Sequence, residues 1–234
     1  MMPKQKSRKR VLAVTTSVDE YRTTGYRTGL WLGELTHFYD VVTDAGHEVV
    51  IASIDGGFVP LDPESLSTIM LAQGGTKKRY ADRAFMDLLR DTPAVSTLRA
   101  LDFDAIYLTG GHGTMYDFTD PALARLVSDF WAQDKVVSAV CHGPAGLLEA
   151  TDTKGRPLVA KRKVTGFSWP EEKLAGRADA VPFDLSKALK QRGAKYDKAL
   201  RPMAKNVVTD GRLITGQNPM SAKAVAKAVL KKLR

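Results

Sequence analysis

Residues Val136 to Ala145 read V-V-S-A-V-C-H-G-P-A, and this segment indicates the architecture of the chain. A β-branched apolar run ends at Cys141, a His-Gly pair follows at once, and a helical pattern begins after the glycine. Such a run is typical of a buried strand that turns sharply into a helix. The turn holds the side chain at Cys141 out of the sheet.

Cys141 is the only cysteine of the chain, and its position makes it a candidate nucleophile. At such a turn the thiol faces free backbone N–H groups and the positive end of the helix dipole. We expect these conditions to lower the thiol pKa and to stabilise an oxyanion. The alternative is a cysteine that only packs, since free cysteines are often buried. The adjacent His142 favours the nucleophile.

The segments around this strand predict an α/β fold. The order strand, helix, strand with short links implies a right-handed parallel unit, and Asp120 is a plausible cap for the helix that Pro121 opens. We therefore predict a three-layer sandwich, a mostly parallel open sheet with helices on both faces, as in flavodoxin-like and class I glutamine-amidotransferase-like folds. The domain spans 10–234 and follows a basic disordered tail, 1–9. The predicted strands are Arg10–Thr16, His47–Ile54, Asp104–Gly111, the cysteine strand and a hairpin, Asn206–Gly216; the predicted helices are Leu30–Ala45, Tyr80–Arg90, Pro121–Trp131, a helix through Ala150, Leu185–Gln191 and a last helix with one apolar face.

Composition and charge favour an ordinary cytoplasmic protein. The 234 residues are 44% apolar and 26% charged, and a single cysteine excludes an internal disulfide. The net charge of +9 comes from two ends, because residues 1–10 and 223–234 each hold five basic residues and no acidic one. The remainder holds 25 basic and 26 acidic residues. We therefore expect neither a nucleic-acid partner nor a membrane.

Several further residues can meet at the carboxyl edge of the sheet, where ligands bind in such folds. The Gly110-Gly111-His112-Gly113 turn offers a backbone N–H, and His142 offers a second, so the two could form an oxyanion hole. Glu34 lies on or beside the apolar face of the first helix, where it is either a buried carboxyl with a raised pKa or a solvated residue. Glu171 and Glu172 could orient His142, or could only complement a helix dipole.

Metal and nucleotide sites are not predicted. The four histidines and the cysteine show no ligand spacing, and the phosphate-binding pattern G-x-x-x-x-G-K-[ST] is absent. A thiolate nucleophile needs no metal and no cofactor.

Five ordered motifs resemble the ThiJ/PfpI superfamily, which has a class I glutamine-amidotransferase-like fold. The resemblance is strongest to the branch that contains glutathione-independent glyoxalases (glyoxalase III) and heat-shock chaperone-like proteins. It spans nearly the whole chain after the basic tail. The matching strings are G-x-W-L-G-E-L-T-H-F-Y from Gly29, Y-L-T-G-G-H-G-T-M-Y-D-F from Tyr107, S-A-V-C-H-G-P-A-G-L-L from Ser138, V-T-G-F-S-x-x-E-E from Val164, and D-G-R-L-I-T-G-Q-N-P-M-S from Asp210.

The resemblance implies a role for each matching residue. Cys141 would be the nucleophile, His142 its base and Glu34 the carboxylate that contacts the thiol. Motif spacing favours Glu172 over Glu171 as the acid of the triad. The amides of Gly111 and His142 would be the oxyanion donors. The substrate pocket would include Gly110, His112, Phe167 and Trp169. Trp169 and Pro170 depart from the smaller polar residues expected there, so Trp169 could narrow the pocket and Glu171 remains an alternative acid.

The implied activity is a cofactor-free conversion of methylglyoxal, or a related 2-oxoaldehyde, to a 2-hydroxy acid such as D-lactate. Cys141 would form a hemithioacetal, and Glu34 and His142 would move a proton through an enediol. The same residues would serve in the repair of glyoxal adducts on proteins. Two other functions remain open: an amidase or peptidase, and a stress-response chaperone or thiol sensor with little turnover. The resemblance also implies a homodimer.

Overall fold

The strands of the main sheet follow the predicted order, and a separate sheet of two short strands, Lys163–Val164 and Lys195–Tyr196, was not predicted. The computed structural model describes residues 7–233. Within this range the strands are β1 (Arg10–Thr15), β2 (Glu48–Ser53), β3 (Ala105–Leu108), β4 (Val136–Val140), β5 (Lys163–Val164), β6 (Lys195–Tyr196), β7 (Val207–Asp210) and β8 (Leu213–Gly216).

The helices lie between these strands. They are α1 (Leu32–Asp44), α2 (Thr68–Leu71), α3 (Thr76–Ala81), α4 (Arg83–Asp87), α5 (Thr114–Asp117), α6 (Pro121–Ala132), α7 (Trp169–Leu174), α8 (Leu185–Gln191) and α9 (Ala222–Lys232). Short 3-10 helices cover Pro63–Leu66, Val95–Thr97, Ala100–Asp102, Gly143–Leu147 and Pro219–Ser221.

The main sheet confirms the predicted α/β architecture. The described residues form a sheet in the order β2-β1-β3-β4-β8-β7, in which only β7 is antiparallel to its neighbour. Successive side chains of a strand point to opposite faces, and both faces of β1 and β3 are buried. Leu12 and Ile106 pack in the cluster that includes α6, whereas Val11 and Tyr107 pack in the cluster with α1 and α9. The sheet is therefore the middle of three layers.

Several predicted elements differ from the structure in their extent. The helix predicted over Tyr80–Arg90 is two short helices, because Asp82 ends α3 and its side chain caps α4 by accepting from the N–H groups of Ala84 and Phe85. The helix predicted through Ala150 is a five-residue 3-10 helix with Pro144 in its first turn. The hairpin around Asp210 and Gly211 is confirmed.

The ordered chain begins before residue 10. Residues 1–6 of the predicted tail lie outside the described residues. The Lys9 N–H donates to His47 Nδ1 at 3.2 Å, and the Lys9 carbonyl accepts from the Glu48 N–H at 2.8 Å. Arg8 pairs with Glu48 at 3.5 Å. These contacts extend the edge of β1, so the predicted boundary of the tail at residue 9 is too late.

Among residues 7–233, no helix combines the length and the apolar character needed to cross a bilayer.

Asp120 caps α6, as predicted, and supplies a test of the fold. One oxygen of its carboxylate accepts from the N–H groups of Ala122 at 2.7 Å and Leu123 at 3.1 Å. Asp120→Ala leaves both donors without that partner, so we expect a loss of about 1 kcal/mol in the free energy of unfolding. Urea unfolding measures this loss. Asp129→Ala, on the same helix, is the control, and an equal loss in the control would contradict the capping role.

Candidate active site

Cys141 stands at a strained turn directly after β4. Its backbone has a φ of 58°, in the left-handed region that non-glycine residues rarely adopt. Two hydrogen bonds hold this conformation: the Cys141 N–H donates to the Gly216 carbonyl at 2.9 Å, and the Cys141 carbonyl accepts from the Phe167 N–H at 2.7 Å. The strand after the turn cannot continue, so the thiol projects from the sheet edge into the candidate site.

Glu34 reaches the thiol from the first turn of α1. It is completely buried, and Oε2 accepts from the Gly110 N–H at 2.7 Å, while Oε1 has no hydrogen-bond partner among the described residues. Burial raises the pKa of Glu34 to about 8, against the smaller lowering effects of the Cys141 thiol and the Gly110 N–H. The carboxyl group is therefore mainly protonated at neutral pH, and a minor fraction of it is ionised.

Gly110 and Gly111 are glycines because the turn after β3 is packed against this carboxyl group and the chain around it. A Cβ on Gly110 would lie 2.5 Å from Glu34 Oε2 and 2.8 Å from the Cβ of Cys141. Gly111 has a φ of 109°, and its Cβ would lie 2.1 Å from the Gly29 carbonyl oxygen. Side chains at either position would push the turn away from Cys141.

His142 bridges the thiol and a carboxylate. Its Nδ1 lies 3.3 Å from Cys141 Sγ, and its Nε2 lies 2.8 Å from Glu172 Oε2. Burial would raise the pKa of Glu172, but attraction to a protonated His142, the hydrogen bonds from His112 and His142, and attraction to a protonated His112 outweigh it and hold that pKa well below its usual range. Burial lowers the pKa of His142. Glu172 is thus an anion that accepts Nε2–H, and His142 is a neutral base whose free Nδ1 faces the thiol.

The thiol is held protonated in the resting site, so the predicted lowering of its pKa is wrong. Burial raises the pKa of Cys141 well above its ordinary value, and the negative charge of Glu34, Glu171 and Glu172 adds to this effect. The helix that follows Cys141 is a single 3-10 segment, and its dipole does not outweigh burial among carboxyl groups. The nucleophile must therefore form as His142 removes the proton.

Glu171 and Glu172 have different positions although they are neighbours in sequence. Ser168 and Glu171 form a capping box at the start of α7, and Pro170 fits the first turn of that helix. The two oxygens of Glu171 accept from the N–H and hydroxyl of Ser168, the N–H of Met203, and the side-chain amides of Gln217 and Asn218. Glu172 alone contacts His142, and Trp169-Pro170 do not displace it.

His112 also contacts Glu172. Its Nε2 lies 2.7 Å from Glu172 Oε1, and the ligand atoms of His112, His142 and Glu172 all lie within 4.8 Å of one another. Two histidines and a carboxylate are a possible metal-ligand set. Both contacts have the lengths of direct hydrogen bonds, and a metal would remove the proton through which Glu172 holds His142. We therefore assign the group to a hydrogen-bond relay.

Two backbone donors beside the thiol are free. The N–H groups of Gly111 and His142 have no acceptor within residues 7–233, and both residues line the cavity that contains Cys141. The Gly110 N–H, in contrast, is used by Glu34. Free N–H groups beside a nucleophile can hold an oxyanion.

The cavity above Cys141 has a volume of about 180 Å³. His112 and Phe167 line it, as predicted from the sequence. Gly110 and Trp169 do not belong to its lining, and Trp169 instead packs against the core cluster that includes α6. The lining residues that the sequence analysis missed come from separate segments of the chain, namely Trp31, Glu64, Leu174, Ala175, Met203 and Pro219.

The fold and the site define a class of α/β proteins in which a cysteine, a histidine and two glutamates meet at the carboxyl edge of a parallel sheet. The model of the DJ-1/PfpI family matches residues 30–232, and the chain belongs to this family. The predicted resemblance to the ThiJ/PfpI superfamily is thereby confirmed.

Named relatives cover nearly the whole chain. Glyoxalase 3 of Candida albicans is 32% identical over 229 residues, which span 94% of this chain and 96% of that protein. The glutathione-independent glyoxalase HSP31 of Saccharomyces cerevisiae is 33% identical and covers 94% and 95%, respectively. Among solved structures, Rapid Encystment Protein 24 KDa of Francisella tularensis is 38% identical, covers 97% and 99%, and has a TM-score of 0.91. Glyoxalase III of Candida albicans is 31% identical, covers 95% and 96%, and has a TM-score of 0.88.

Proposed function

We propose that this chain is a glutathione-independent glyoxalase that uses Cys141 to convert a small 2-oxoaldehyde, such as methylglyoxal, to a 2-hydroxy acid. The enzyme class is that of its curated relatives, and it agrees with the prediction from the sequence motifs. The observation that carries the chemistry is the pair of proton carriers at one thiol: His142 Nδ1 at 3.3 Å, and the Glu34 carboxyl group with a pKa of about 8.

The first step joins the substrate to the enzyme. His142 takes the thiol proton, the sulfur attacks the aldehyde carbon, and a C–S bond forms. The negative charge that develops on the aldehyde oxygen faces the free N–H groups of Gly111 and His142. Return of the proton from His142 to this oxygen completes a neutral hemithioacetal.

The second step moves one proton between two carbons. The ionised form of Glu34 removes the C1 proton and passes it to the C2 carbonyl oxygen, which gives an enediol. Glu34 then takes the proton of the C1 hydroxyl and delivers it to C2, which yields a thioester on Cys141 and leaves Glu34 ionised again. A pKa near the working pH allows one carboxyl group both to remove and to return a proton. Water then cleaves the thioester and releases the hydroxy acid and the thiol. The net change is the addition of one water, with no oxidant or reductant.

The cavity supports a small substrate with an apolar substituent. Trp31, Phe167, Leu174 and Met203 form much of its wall, and His142 lies beside Cys141 with His112 next to it. The reacting carbonyls would thus meet the polar end, and the methyl group of methylglyoxal would contact the apolar wall.

The function is tested by incubating the purified chain with methylglyoxal in the absence of glutathione and following D-lactate. We expect steady production of D-lactate, and glutamine offered in a parallel reaction should release no ammonia. Absence of lactate together with release of ammonia would replace the glyoxalase with an amidase.

Glu172→Gln tests the orientation of His142. A carboxylate accepts from both histidines, but an amide offers one oxygen and places its NH₂ against the other ring nitrogen. The amide also lacks the negative charge that stabilises His142 once it has taken the thiol proton. We expect kcat to fall by about 10³-fold, on the scale of comparable changes in catalytic triads.

Glu171→Gln is the matched control for this prediction, because it changes the neighbouring carboxylate in the same way. Glu171 accepts from the Ser168, Met203, Gln217 and Asn218 groups described above, so its loss should reduce the free energy of unfolding by about 2 kcal/mol. The folded fraction should retain far more activity than Glu172→Gln. Equal kcat values for the two variants would contradict the assignment of Glu172.

We also propose that the protein acts as a homodimer in the cytoplasm. The location is supported by the cysteine content, because a chain with a single cysteine forms no internal disulfide and suits a reducing compartment. Light scattering of the purified chain measures the oligomeric state, and a single monomer mass across micromolar concentrations would refute the dimer.

A further inference from the structure

His112 and His142 share one carboxylate, and each takes one of its oxygens. His112 Nε2 lies 2.7 Å from Glu172 Oε1, and His142 Nε2 lies 2.8 Å from Glu172 Oε2. All three side chains are at most 5% exposed. A carboxylate without water around it needs donors on both oxygens, and His112 supplies the second one.

The shared carboxylate fixes the proton of both rings. An ionised carboxylate only accepts, so each Nε2 carries hydrogen and each Nδ1 is a lone pair in the neutral ring. For His142 this places the lone pair toward Cys141 Sγ. For His112 it leaves Nδ1 buried and without a partner among the described residues.

Aromatic contacts hold the ring of His112 in place. Its centroid lies 5.4 Å from that of Tyr21 and 4.4 Å from that of His142, with both pairs of planes tilted by 45°. The whole residue His112 is 4% exposed, and it lines the substrate cavity. This packing leaves the contact with Glu172 as its one hydrogen bond within residues 7–233.

We propose that His112 is a positioning residue of the glyoxalase reaction, because its N–H holds one oxygen of Glu172 so that the other oxygen keeps Nδ1 of His142 directed at Cys141. This inference rests on the proposed function for its kinetic consequence. It assigns His112 no contact with the reacting atoms.

The effect of His112 on protonation has one direction. The hydrogen bond from His112 lowers the pKa of Glu172, and a positive charge on the His112 ring lowers the pKa of both Glu172 and His142. Removal of His112 would raise both pKa values, so Glu172 would be neutralised and His142 would be protonated at higher pH. Either change stops His142 from accepting the thiol proton. His112, Glu172 and His142 are faced by five other titratable groups, namely Tyr21, Asp62, Tyr116, Cys141 and Glu171.

His112→Leu and His112→Gln separate positioning from packing. Leucine fills the space without a donor, whereas the amide nitrogen of glutamine can reach the place of Nε2. We expect the leucine variant to lose about ten- to a hundredfold in kcat/KM for methylglyoxal, the usual effect of losing a hydrogen bond to a charged group. In the pH profile of kcat/KM for the leucine variant, the fall on the acidic side should move to higher pH. Glutamine should restore part of the activity and return this fall toward that of the unmodified protein.

Alkylation of Cys141 by iodoacetamide gives a second readout that needs no turnover. The dependence of the alkylation rate on pH reports how readily His142 takes the thiol proton. We expect this rate to be highest in the unmodified protein, lower in His112→Gln and lowest in His112→Leu. His112→Asn, whose amide nitrogen stops near the place of Nδ1, substitutes for leucine if that variant does not fold. Equal losses in the donor and donor-free variants, with unmoved pH profiles, would overturn the proposal. Absence of lactate formation by the unmodified protein would refute the function alone, and the alkylation profiles would still test His112.

Discussion

Cys141→Ala is expected to abolish glutathione-independent formation of lactate from methylglyoxal. Without sulfur no hemithioacetal forms, and neither Glu34 nor His142 can replace the covalent step. We expect kcat/KM to fall by about 10⁴-fold or more, because removal of the nucleophile disables every other member of such a site. Enzymatic measurement of D-lactate checks this loss.

The variant should keep its fold. The left-handed backbone conformation at residue 141 has about the same conformational energy for alanine as for cysteine. The hydrogen bonds with Gly216 and Phe167 involve only backbone atoms, so the substitution keeps them. Urea unfolding should therefore give a similar midpoint for both proteins. More than a tenth of the original kcat/KM in a folded Cys141→Ala protein would exclude the thiol as the nucleophile.

Glu34→Gln is expected to lower kcat by about 10²- to 10³-fold, in the range of a lost general acid–base group. Glutamine has the same shape, and its carbonyl oxygen can still accept from the Gly110 N–H. It cannot take the C1 proton of the substrate. Because the pKa of Glu34 is higher in the folded protein than in the unfolded chain, this carboxyl group costs stability at neutral pH, so the exchange should raise the free energy of unfolding there and change it little below about pH 4.

The same variant should move the titration of the thiol in a known direction. The charge of Glu34 is one cause of the raised pKa of Cys141, so its removal lowers that pKa toward the ordinary value. Alkylation of Cys141 should therefore set in at lower pH in Glu34→Gln while turnover falls. Glu149→Gln, on the surface and paired with Arg192, is the control. Unchanged turnover in Glu34→Gln would remove this carboxyl group from the mechanism.

Local sequence was sufficient to predict the parts of the site that depend on neighbouring residues. The apolar strand before Cys141 and the glycines after β3 fix the turn that directs the buried thiol into the cavity. The helical pattern made Glu34 a candidate buried carboxyl but left a solvated residue as the alternative, and the structure buries it completely. In both cases the physical cause lies within one element and its adjoining loop.

The remaining features depend on contacts between distant segments. Glu171 and Glu172 are adjacent, and only the start of α7 at Trp169 determines which one faces His142. The thiol pKa was predicted in the wrong direction because three carboxyl groups from two separate helices surround Cys141. Met203 enters the cavity wall through a hydrogen bond between its N–H and Glu171, which no local pattern shows.

In the proposed reaction the substrate is bound covalently to Cys141 during turnover. Acid-quenched protein from a reaction with methylglyoxal can be digested and its peptides weighed by mass spectrometry, since a thioester survives acid. We expect a lactoyl group on the peptide that contains Cys141, absent before substrate is added and absent from Cys141→Ala. Lactate formation at full rate with this peptide unmodified at every quench time would contradict it.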